Sequence, residues 1–225
     1  MRMEGEYPGS VYNSKDCPFW PSVFRKKGYQ TVQIGKWHTG TDNGFGRDWD
    51  FQKVWNRPAF PGNSGNYFKE QLIQTNGKKA LMTQGYSTDN YTKWAEEYIR
   101  GEHGKNDDKP FYLWLCYGAV HGPFTPAKRH FNHYPNAKVD IPEDIYPPRN
   151  GKPEYSRTKE QWIPGPDGIP MLKSGKFSGR TVSGKFIHGT DIHSLERQYH
   201  QGVLAIDEGV GKLIKALKET GQYEN

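Results

Sequence analysis

The sequence predicts an α/β fold in which a mostly parallel β-sheet is flanked by helices. A segment with helical character, a turn, an apolar strand and a loop follow one another twice, at residues 18–40 and 87–122. Each of the two strands ends in a glycine-containing loop that carries a histidine. The repeated order is typical of parallel α/β layers. Ligands of open α/β sheets bind where the strands present their carboxyl ends, so one shared site is expected there.

The first repeat follows a stretch rich in Gly, Pro, Ser and Asn, residues 1–17, which is expected to be a loop. Pro18–Lys27 is predicted to form a short helix, because Gly28 follows as a stop signal. Residues Tyr29–Ile34, which follow the stop signal at Gly28, are predicted to form a buried strand. Residues 35–66 contain many glycines and prolines, so they are predicted to be mainly loop.

The second repeat contains the clear helix of this half of the chain. Ser87 or Thr88 can cap its amino end, and Gly101 follows its predicted end at Arg100. A polar turn then leads into the apolar strand 111–117. The helix has one apolar face at the spacing i, i+3, i+4, i+7, i+8, made of Tyr91, Trp94, Ala95, Tyr98 and Ile99.

The remaining part of the chain combines a long irregular region with a last helix. Residues 122–190 hold many prolines and glycines and little periodicity, which predicts an ordered, loop-rich insertion near the site. The last helix is predicted from about Ser194 to Thr220, with Asp191 or Ser194 as its N-cap. Its expected buried stripe consists of Val203, Ile206, Val210, Leu213, Ile214 and Leu217.

The composition describes a polar, basic chain of 225 residues. Hydrophobic residues make up 33%, the mean hydropathy is −0.95, and the net charge is +6 with a pI of about 9.1. The positive charge favours anionic partners. Nucleic acid is not expected, since no RNP-like, zinc-finger or basic-helix pattern occurs. No apolar run reaches the roughly 18 residues that span a bilayer, so no membrane span is expected.

Three basic side chains are the candidate site. Lys36 and His38 follow the first predicted strand, and His121 follows the second. If the two loops meet, these groups form a positively charged cradle that can bind a tetrahedral oxyanion through charge-assisted hydrogen bonds. A histidine there can also exchange a proton near neutral pH. The alternative is that Lys36 is a surface lysine and that His38 caps the turn.

Other reactive side chains have simpler interpretations. His130 and His133 are expected to be solvated loop histidines, because no second ligand pair follows at zinc-like spacing. His188 and His193 are assigned to the region that begins the last helix. Cys116 lies within an apolar strand and is predicted to be a buried free thiol.

Two motifs carry a family resemblance. Residues 28–40, Gly-Tyr-Gln-Thr-Val-Gln-Ile-Gly-Lys-Trp-His-Thr-Gly, closely resemble the G-Y-x-T-x-x-x-G-K-W-H-x-G signature of sulfatases of the alkaline phosphatase superfamily. Residues 109–124 are similar to that family's K-P-F-F-L strand and P-H-x-P loop, with Val120 in place of the usual proline. Residues 199–225 are similar to the family's helix with a central Asp and a final E-T-G turn. The implied fold is part of an alkaline-phosphatase-like sandwich.

The resemblance implies hydrolysis of sulfate esters by a formylglycine nucleophile with the help of Ca²⁺. Lys36 matches the lysine that contacts the sulfate and the formylglycine. His38 matches the histidine that hydrogen-bonds the formylglycine diol. His121 matches the histidine that binds the sulfate ester and assists the leaving oxygen. These roles agree with the need for cationic donors and a metal where charge develops on oxygen.

The chain departs from the family pattern at both ends. No C/S-x-P/A-x-R motif occurs, because Cys17 is followed by Pro18 and the fifth position is Pro21. The early Asp pair and the later D-H-G or D-N segment that bind calcium are also missing. We therefore expect residues 1–225 to be an internal part of one sulfatase catalytic domain, with 122–190 as an insertion. The formylglycine and the calcium ligands are expected outside it, and this part is expected to be inactive alone.

Two alternative functions remain open from the sequence. One is a phosphodiesterase or phosphonate hydrolase of the same superfamily, and the other is a non-catalytic module that binds sulfated glycans. The expected ligand is a sulfated small molecule or sulfated carbohydrate, with Trp162 or Tyr155 of the insertion stacking on a sugar. The alternative for this insertion is a packing role without a ligand. A periplasmic or secreted location is implied by the resemblance alone.

Overall fold

The computed structural model describes residues 18–174 and 191–224, and the chain divides into two compact units. Unit one consists of Met1–Gly118 together with Ile206–Asn225, and unit two is Ala119–Ala205. Predictions for residues 1–17 and for His188 lie outside the described residues. The division of the domain and the status of 122–190 as an insertion stay predictions.

Unit one contains a five-stranded mixed sheet in the order β4-β3-β2-β1-β5. Both neighbours of β1 run parallel to it, whereas β3 and β4 are antiparallel additions at one edge. The predicted α/β class with parallel strands at its centre is thus confirmed. The elements are α1 (Trp20–Lys26), β1 (Gln30–Trp37), β2 (Phe51–Asn56), β3 (Gln71–Thr75), β4 (Leu81–Thr83), α2 (Ser87–Ile99) and β5 (Phe111–Cys116), with a 3₁₀ turn at Pro61–Asn63.

The first repeat folds in the predicted order, but β1 extends to Trp37, so Lys36 lies within the strand and not in the loop after it. Helix α1 has Pro21 in its first turn, where a missing N–H costs nothing, and it ends just before Gly28. Strand β1 lies between β2 and β5, and it is fully buried on both faces, at Val32 and Ile34 on one side and at Thr31 and Gln33 on the other. This burial on both faces is typical of a parallel strand covered by helices.

Strand β2 corrects the prediction that residues 35–66 are mainly loop. It runs parallel to β1 and is almost entirely buried, although its sequence Phe-Gln-Lys-Val-Trp-Asn is half polar. Gln52 is fully buried because its amide donates to Gln33 Oε1 at 2.9 Å and to the carbonyl oxygen of Asn43 at 2.7 Å. Buried polar groups are tolerated when they are hydrogen-bonded in this way. The polar residues of β2 therefore concealed the middle strand of the sheet.

The second repeat is confirmed except for its cap. The five predicted apolar residues of α2 are buried, and the strand after it is β5. The N-cap is Tyr86, however, and no side chain caps the helix. Ser87 instead donates to the carbonyl oxygen of Tyr67 at 2.7 Å. Cys116, at the end of β5, is a free thiol as predicted, but it is half-buried and not buried.

Unit two has little regular structure before the long helix α4 (Ile192–Glu219), whose second half belongs to unit one. The other elements of unit two are α3 (Glu154–Arg157), the antiparallel pair β6 (Trp162–Pro164) and β7 (Pro170–Leu172), and 3₁₀ turns at Lys128–His130 and Pro166–Gly168. Asp191 is the N-cap of α4, because its carboxylate accepts from the Ser194 amide at 3.0 Å. His193 Nδ1 accepts from the Val139 amide at 3.1 Å.

Two predictions for these residues are wrong. His130 is buried, with 5% of its surface exposed, and only His133 is a solvated loop histidine. In α4, Val203 and Val210 of the predicted stripe are exposed. After Ile192 and Leu195 in the first turn, the buried positions carry small or polar side chains, which allow close packing: Gln198, Gln201, Gly202, Ala205, Gly209 and Ala216. A Cβ at Gly209, for example, would lie 2.5 Å from Thr92 Oγ1.

Candidate anion-binding site

The carboxyl ends of β1, β2 and β5 lie at one edge of the sheet. Lys36 is paired with Trp55 and Trp37 with Asn56, so β1 and β2 end side by side. Gly35 is paired with Cys116, the last residue of β5. Residues that follow these three strands are therefore delivered to the same edge, which is where α/β sheets bind ligands.

A glycine brings β1 and β5 into close approach directly before Lys36. Gly35 has φ of 108°, and a Cβ there would overlap the carbonyl oxygen of Cys116. No side chain fits that space, and the positive φ is accessible mainly to glycine. The first glycine of the Gly-Lys-Trp-His run thus has a structural reason, and it fixes the position from which the Lys36 side chain leaves the strand.

Lys36 is half-buried, and its ammonium lies 5.2 Å from the ring centroid of Tyr67. Burial lowers the pKa of Lys36 below its usual value, and the neighbouring Arg57 guanidinium lowers this pKa further. Burial raises the pKa of Cys116 to about 12, so the thiol is uncharged at neutral pH.

Arg57 is the functional candidate that sequence reasoning missed. It directly follows β2 and is half-buried. Its guanidinium carbon lies 4.7 Å from the ring centroid of Tyr67 and 5.3 Å from that of Trp55, and Nε donates to the Ser64 carbonyl oxygen at 2.8 Å. The signal that could have found it is its place after a parallel strand, which the polar sequence of β2 concealed.

His38 joins the same group through Arg57. Arg57 Nη1 lies 3.2 Å from His38 Nδ1 and 3.4 Å from Nε2. A guanidinium donates and cannot accept, so this contact requires an unprotonated ring nitrogen on His38. Lys36 and Arg57 thus lie against the buried ring of Tyr67, and His38 contacts Arg57. The predicted association of Lys36 with His38 in one site stays a prediction.

The arrangement suits an anion. Two cations lie against one aromatic ring, which attracts both of them, yet they repel each other. An oxyanion between them would remove this repulsion and accept charge-assisted hydrogen bonds. Arginine and lysine add different geometry, since the guanidinium is a planar fork and the ammonium a point charge. We define Lys36, His38, Arg57 and Tyr67 as the basic cluster.

His121 belongs to unit two, three residues beyond the end of unit one. It is exposed, and its Nδ1 lies 2.8 Å from the carbonyl oxygen of Gly122. The predicted meeting of His121 with Lys36 and His38 stays a prediction.

The described residues offer one group that could hold a metal ion, and it lies at the other end of the sheet. It consists of Glu97, Glu102 and His103, with His103 Nε2 2.9 Å from Glu97 Oε2. The His103 ring stacks on Phe51 at 4.8 Å between centroids, and Phe51 begins β2 whereas Arg57 follows its end. The basic cluster itself consists of a lysine, a histidine, an arginine and a tyrosine, so it does not match the carboxylate-rich ligand set that calcium requires.

Comparison with known proteins gives consistent matches along the chain. The family model described as Sulfatase matches residues 2–225. An N-acetylglucosamine-6-O-sulfatase of Bacteroides thetaiotaomicron is 22% identical over 96% of this chain and 43% of its own length. The human N-acetylglucosamine-6-sulfatase is 26% identical over 92% of this chain and 34% of its own length. The chain thus spans less than half of the curated relatives it matches.

A solved structure has the same fold over most of the chain. It is a protein in complex with its substrate D-glucosamine-2-N,6-O-disulfate, with a TM-score of 0.71 and 21% identity. The match covers 95% of this chain and 49% of that chain. Among residues 18–174 and 191–224, no helix is both long and apolar enough to cross a membrane.

Proposed function

The chain belongs to the sulfatase family, and from this premise we propose that the whole protein hydrolyses sulfate esters and binds the sulfate group at the basic cluster. The observation that carries the proposal is that Lys36 and Arg57 both lie against Tyr67 at the carboxyl edge of the sheet, with His38 in contact with Arg57. A sulfate ester develops negative charge on oxygen as its bond breaks, so fixed cationic donors stabilise that transition state.

Each residue of the cluster has a distinct part in the proposal. Lys36 donates to a sulfate oxygen from a half-buried position, where a charge interacts more strongly than in bulk water. Arg57 adds a second positive charge and orients His38. His38 offers a ring nitrogen that can accept or return a proton near neutral pH. His121 is proposed to reach the leaving oxygen, in agreement with its place in the family motif.

Formylglycine and Ca²⁺ enter the proposal only as groups supplied by other residues. The described residues at this edge are basic, and the acidic group Glu97, Glu102 and His103 lies at the opposite edge. The residues of the basic cluster can supply neither the formylglycine nucleophile nor the ligands of Ca²⁺. The role of the described residues therefore ends at binding the sulfate group, orienting it and moving a proton. A periplasmic or secreted location, implied by the family resemblance, is part of the same proposal.

The proposed substrate class is a sulfated amino sugar, with 6-O-sulfated N-acetylglucosamine as the first candidate. Its support is that two relatives are named for this activity and that a protein of the same fold binds a glucosamine disulfate. A sulfated hexosamine also agrees with the basic character of the chain, since net positive charge attracts anionic ligands.

The test uses the full-length protein with N-acetylglucosamine-6-sulfate and N-acetylglucosamine-6-phosphate, which share one leaving group. We expect release of sulfate and at least about a hundredfold lower kcat/KM for the phosphate ester. Faster turnover of the phosphate ester would favour the phosphoester hydrolase alternative. Binding of both esters without turnover, in a protein whose gene lacks the formylglycine motif, would favour the glycan-binding module.

The part proposed for His121 has its own matched control in unit two. His121→Ala should lower kcat/KM for the sulfate ester by about a hundredfold, because it removes an acid that assists the leaving oxygen. His133→Ala removes another exposed loop histidine of the same unit and should change kcat/KM less than about twofold. Equal and small effects of the two changes would remove His121 from the site.

A further inference from the structure

We propose that a cavity within unit two binds one sugar residue of a sulfated saccharide. The cavity has a volume of about 250 Å³, and Ile145 and Trp162 form apolar parts of its wall. Pockets that enclose drug-sized ligands occupy roughly 300–1,000 Å³, so this cavity has the size of a single sugar ring. The choice of a sulfated saccharide as the ligand class rests on the proposed function.

Arg149 gives the cavity a fixed frame. Its guanidinium donates to four carbonyl oxygens, at 2.7 Å to Asp144, 2.6 Å to Ile145, 2.7 Å to Ser156 and 2.8 Å to Lys159. One side chain thus ties together the backbone on both sides of the cavity. A site held in shape before binding loses less entropy when the ligand arrives, which favours affinity.

The charges of the wall favour an anion. The contacts described for Arg149 are to neutral carbonyls, so these bonds do not cancel its positive charge. Lys159 is exposed and adds a second positive charge to the wall. Asp144 is the acidic group there, and Lys152 lies 3.5 Å from its carboxylate. The wall therefore carries net positive charge, which complements a sulfate group.

Trp162 supplies the surface on which a sugar ring can stack. It is half-buried in β6 opposite Leu172 of β7, and the Lys173 amide donates to the Gln161 carbonyl oxygen at 2.8 Å. The flat indole face is apolar, and the C–H face of a pyranose can lie against it while its hydroxyls reach polar groups. The amide of Gln161, another residue of the wall, can donate and accept such hydrogen bonds. Tyr155, which is 82% exposed, lies outside the described lining.

The experiment measures binding to the full-length protein by calorimetry. The probes are a heparan-type tetrasaccharide with 6-sulfated glucosamine and its fully desulfated counterpart. Trp162→Ala should weaken binding of both probes by about tenfold, because stacking does not depend on sulfate. Lys159→Gln should weaken binding of the sulfated probe by about threefold and leave the desulfated probe unchanged. Trp162→Phe should recover most of the affinity, which separates stacking from misfolding.

Tyr155→Ala is the matched control, since it removes an exposed aromatic ring from the same segment. It should leave both affinities within about twofold of the parent protein. The site is disproved if Trp162→Ala binds as the parent does, or if Tyr155→Ala weakens binding equally. If the Trp162 pattern holds but no sulfate ester is hydrolysed, the proposed function fails and the saccharide site stands. If the sulfate ester is hydrolysed but Trp162→Ala binds both probes as the parent does, the saccharide site is disproved and the proposed function stands.

Discussion

Two lysines of the same sheet are buried to a similar extent, but the charged neighbours with the largest effect on them have opposite signs. Lys36 of β1 lies 5.2 Å from the ring centroid of Tyr67, and Lys53 of β2 lies 4.9 Å from that of Trp94. Both are half-buried, and burial is the main cause that lowers the pKa of each. Burial on an aromatic ring therefore does not by itself distinguish a functional lysine from a structural one.

The neighbouring charges make the distinction. After burial, the next effect on the pKa of Lys36 comes from Arg57, which lowers it. For Lys53 the next effect comes from Glu97, which raises the pKa. Lys53 thus has a carboxylate of the protein in its surroundings, whereas Lys36 shares its surroundings with a second cation. An excess of positive charge at a strand end is what an anionic ligand can neutralise.

The largest expected effect comes from removing each ammonium in turn. In the full-length protein, Lys36→Gln should lower kcat/KM for a sulfate ester by about a hundredfold or more, because a donor to the developing charge is lost. Lys53→Gln should change kcat/KM by less than about threefold. Steady-state kinetics of the two variants side by side measures the difference. Similar losses in both would show that the comparison of the two surroundings does not predict function.

The second effect concerns Arg57, which makes the surroundings of Lys36 cationic. Arg57→Met should raise KM for the sulfate ester by about tenfold, because it removes one positive charge and the contact to His38. Arg57→Lys should recover part of this loss, since it restores the charge without the planar fork.

Arg100→Met is the control for Arg57. It removes an arginine whose partners, Glu96 and Glu219, are on the helices of unit one. Surface ion pairs of this kind contribute little, so KM should stay within about twofold of the parent. An unchanged KM in Arg57→Met would leave Lys36 and His38 as the functional part of the cluster and assign Arg57 to packing on Tyr67.

The same two strands explain how far sequence reasoning reaches. Strand β1 is predictable because Val32 and Ile34 precede the recognisable Gly-Lys-Trp-His motif, which identifies the strand in the sequence. Strand β2 is not, because Gln52 is a polar residue that only the side chain of Gln33 and the backbone of Asn43 make compatible with burial. These partners are distant in sequence, so no local pattern contains the information.

Helix α4 illustrates a second limit of the sequence. Periodicity predicted the helix, and the N-cap Asp191 followed from its residue type. The predicted buried stripe is wrong at Val203 and Val210, which are exposed. Packing partners instead require Gly202 and Gly209, where a Cβ would collide with Val120 and Thr92 respectively. Close approach between elements is decided by three-dimensional fit, which hydropathy does not encode.

The third effect is the pH dependence of sulfate binding, which tests the lowered pKa of Lys36. Sulfate binds the protonated lysine, so its affinity should fall as the pH rises through the pKa of Lys36. Because this pKa is lowered, the fall should begin at a lower pH than for an ordinary lysine. The pH at which the affinity falls is measured by determining the inhibition constant of inorganic sulfate at a series of pH values. In Arg57→Met the fall should move to higher pH, since one cause of the lowered pKa is removed.

The result that would contradict this reasoning is an identical pH midpoint in Arg57→Met and the parent protein. The Arg100→Met variant again serves as the control, because Arg100 does not appear among the causes that act on Lys36. Its sulfate inhibition curve should follow that of the parent across the whole pH range. A shift in this variant would mean that overall charge, rather than the close neighbour Arg57, controls the titration.

The smallest effect is on stability. Replacing Lys36 should raise the free energy of unfolding, whereas replacing Lys53 should not. The protonated form of Lys36 is disfavoured in the folded state, since burial and Arg57 both lower its pKa. Lys36→Met should therefore raise the free energy of unfolding by up to about 1 kcal/mol, at the cost of function. Lys53→Met also relieves burial, but it leaves Glu97 and Glu102 with less positive charge nearby, so we expect no gain or a loss of about 0.5 kcal/mol. Urea unfolding of both variants at pH 7 measures the difference. Equal gains would mean that burial alone governs both sites, and the surroundings of Lys36 would then no longer mark it as a site kept for an anion.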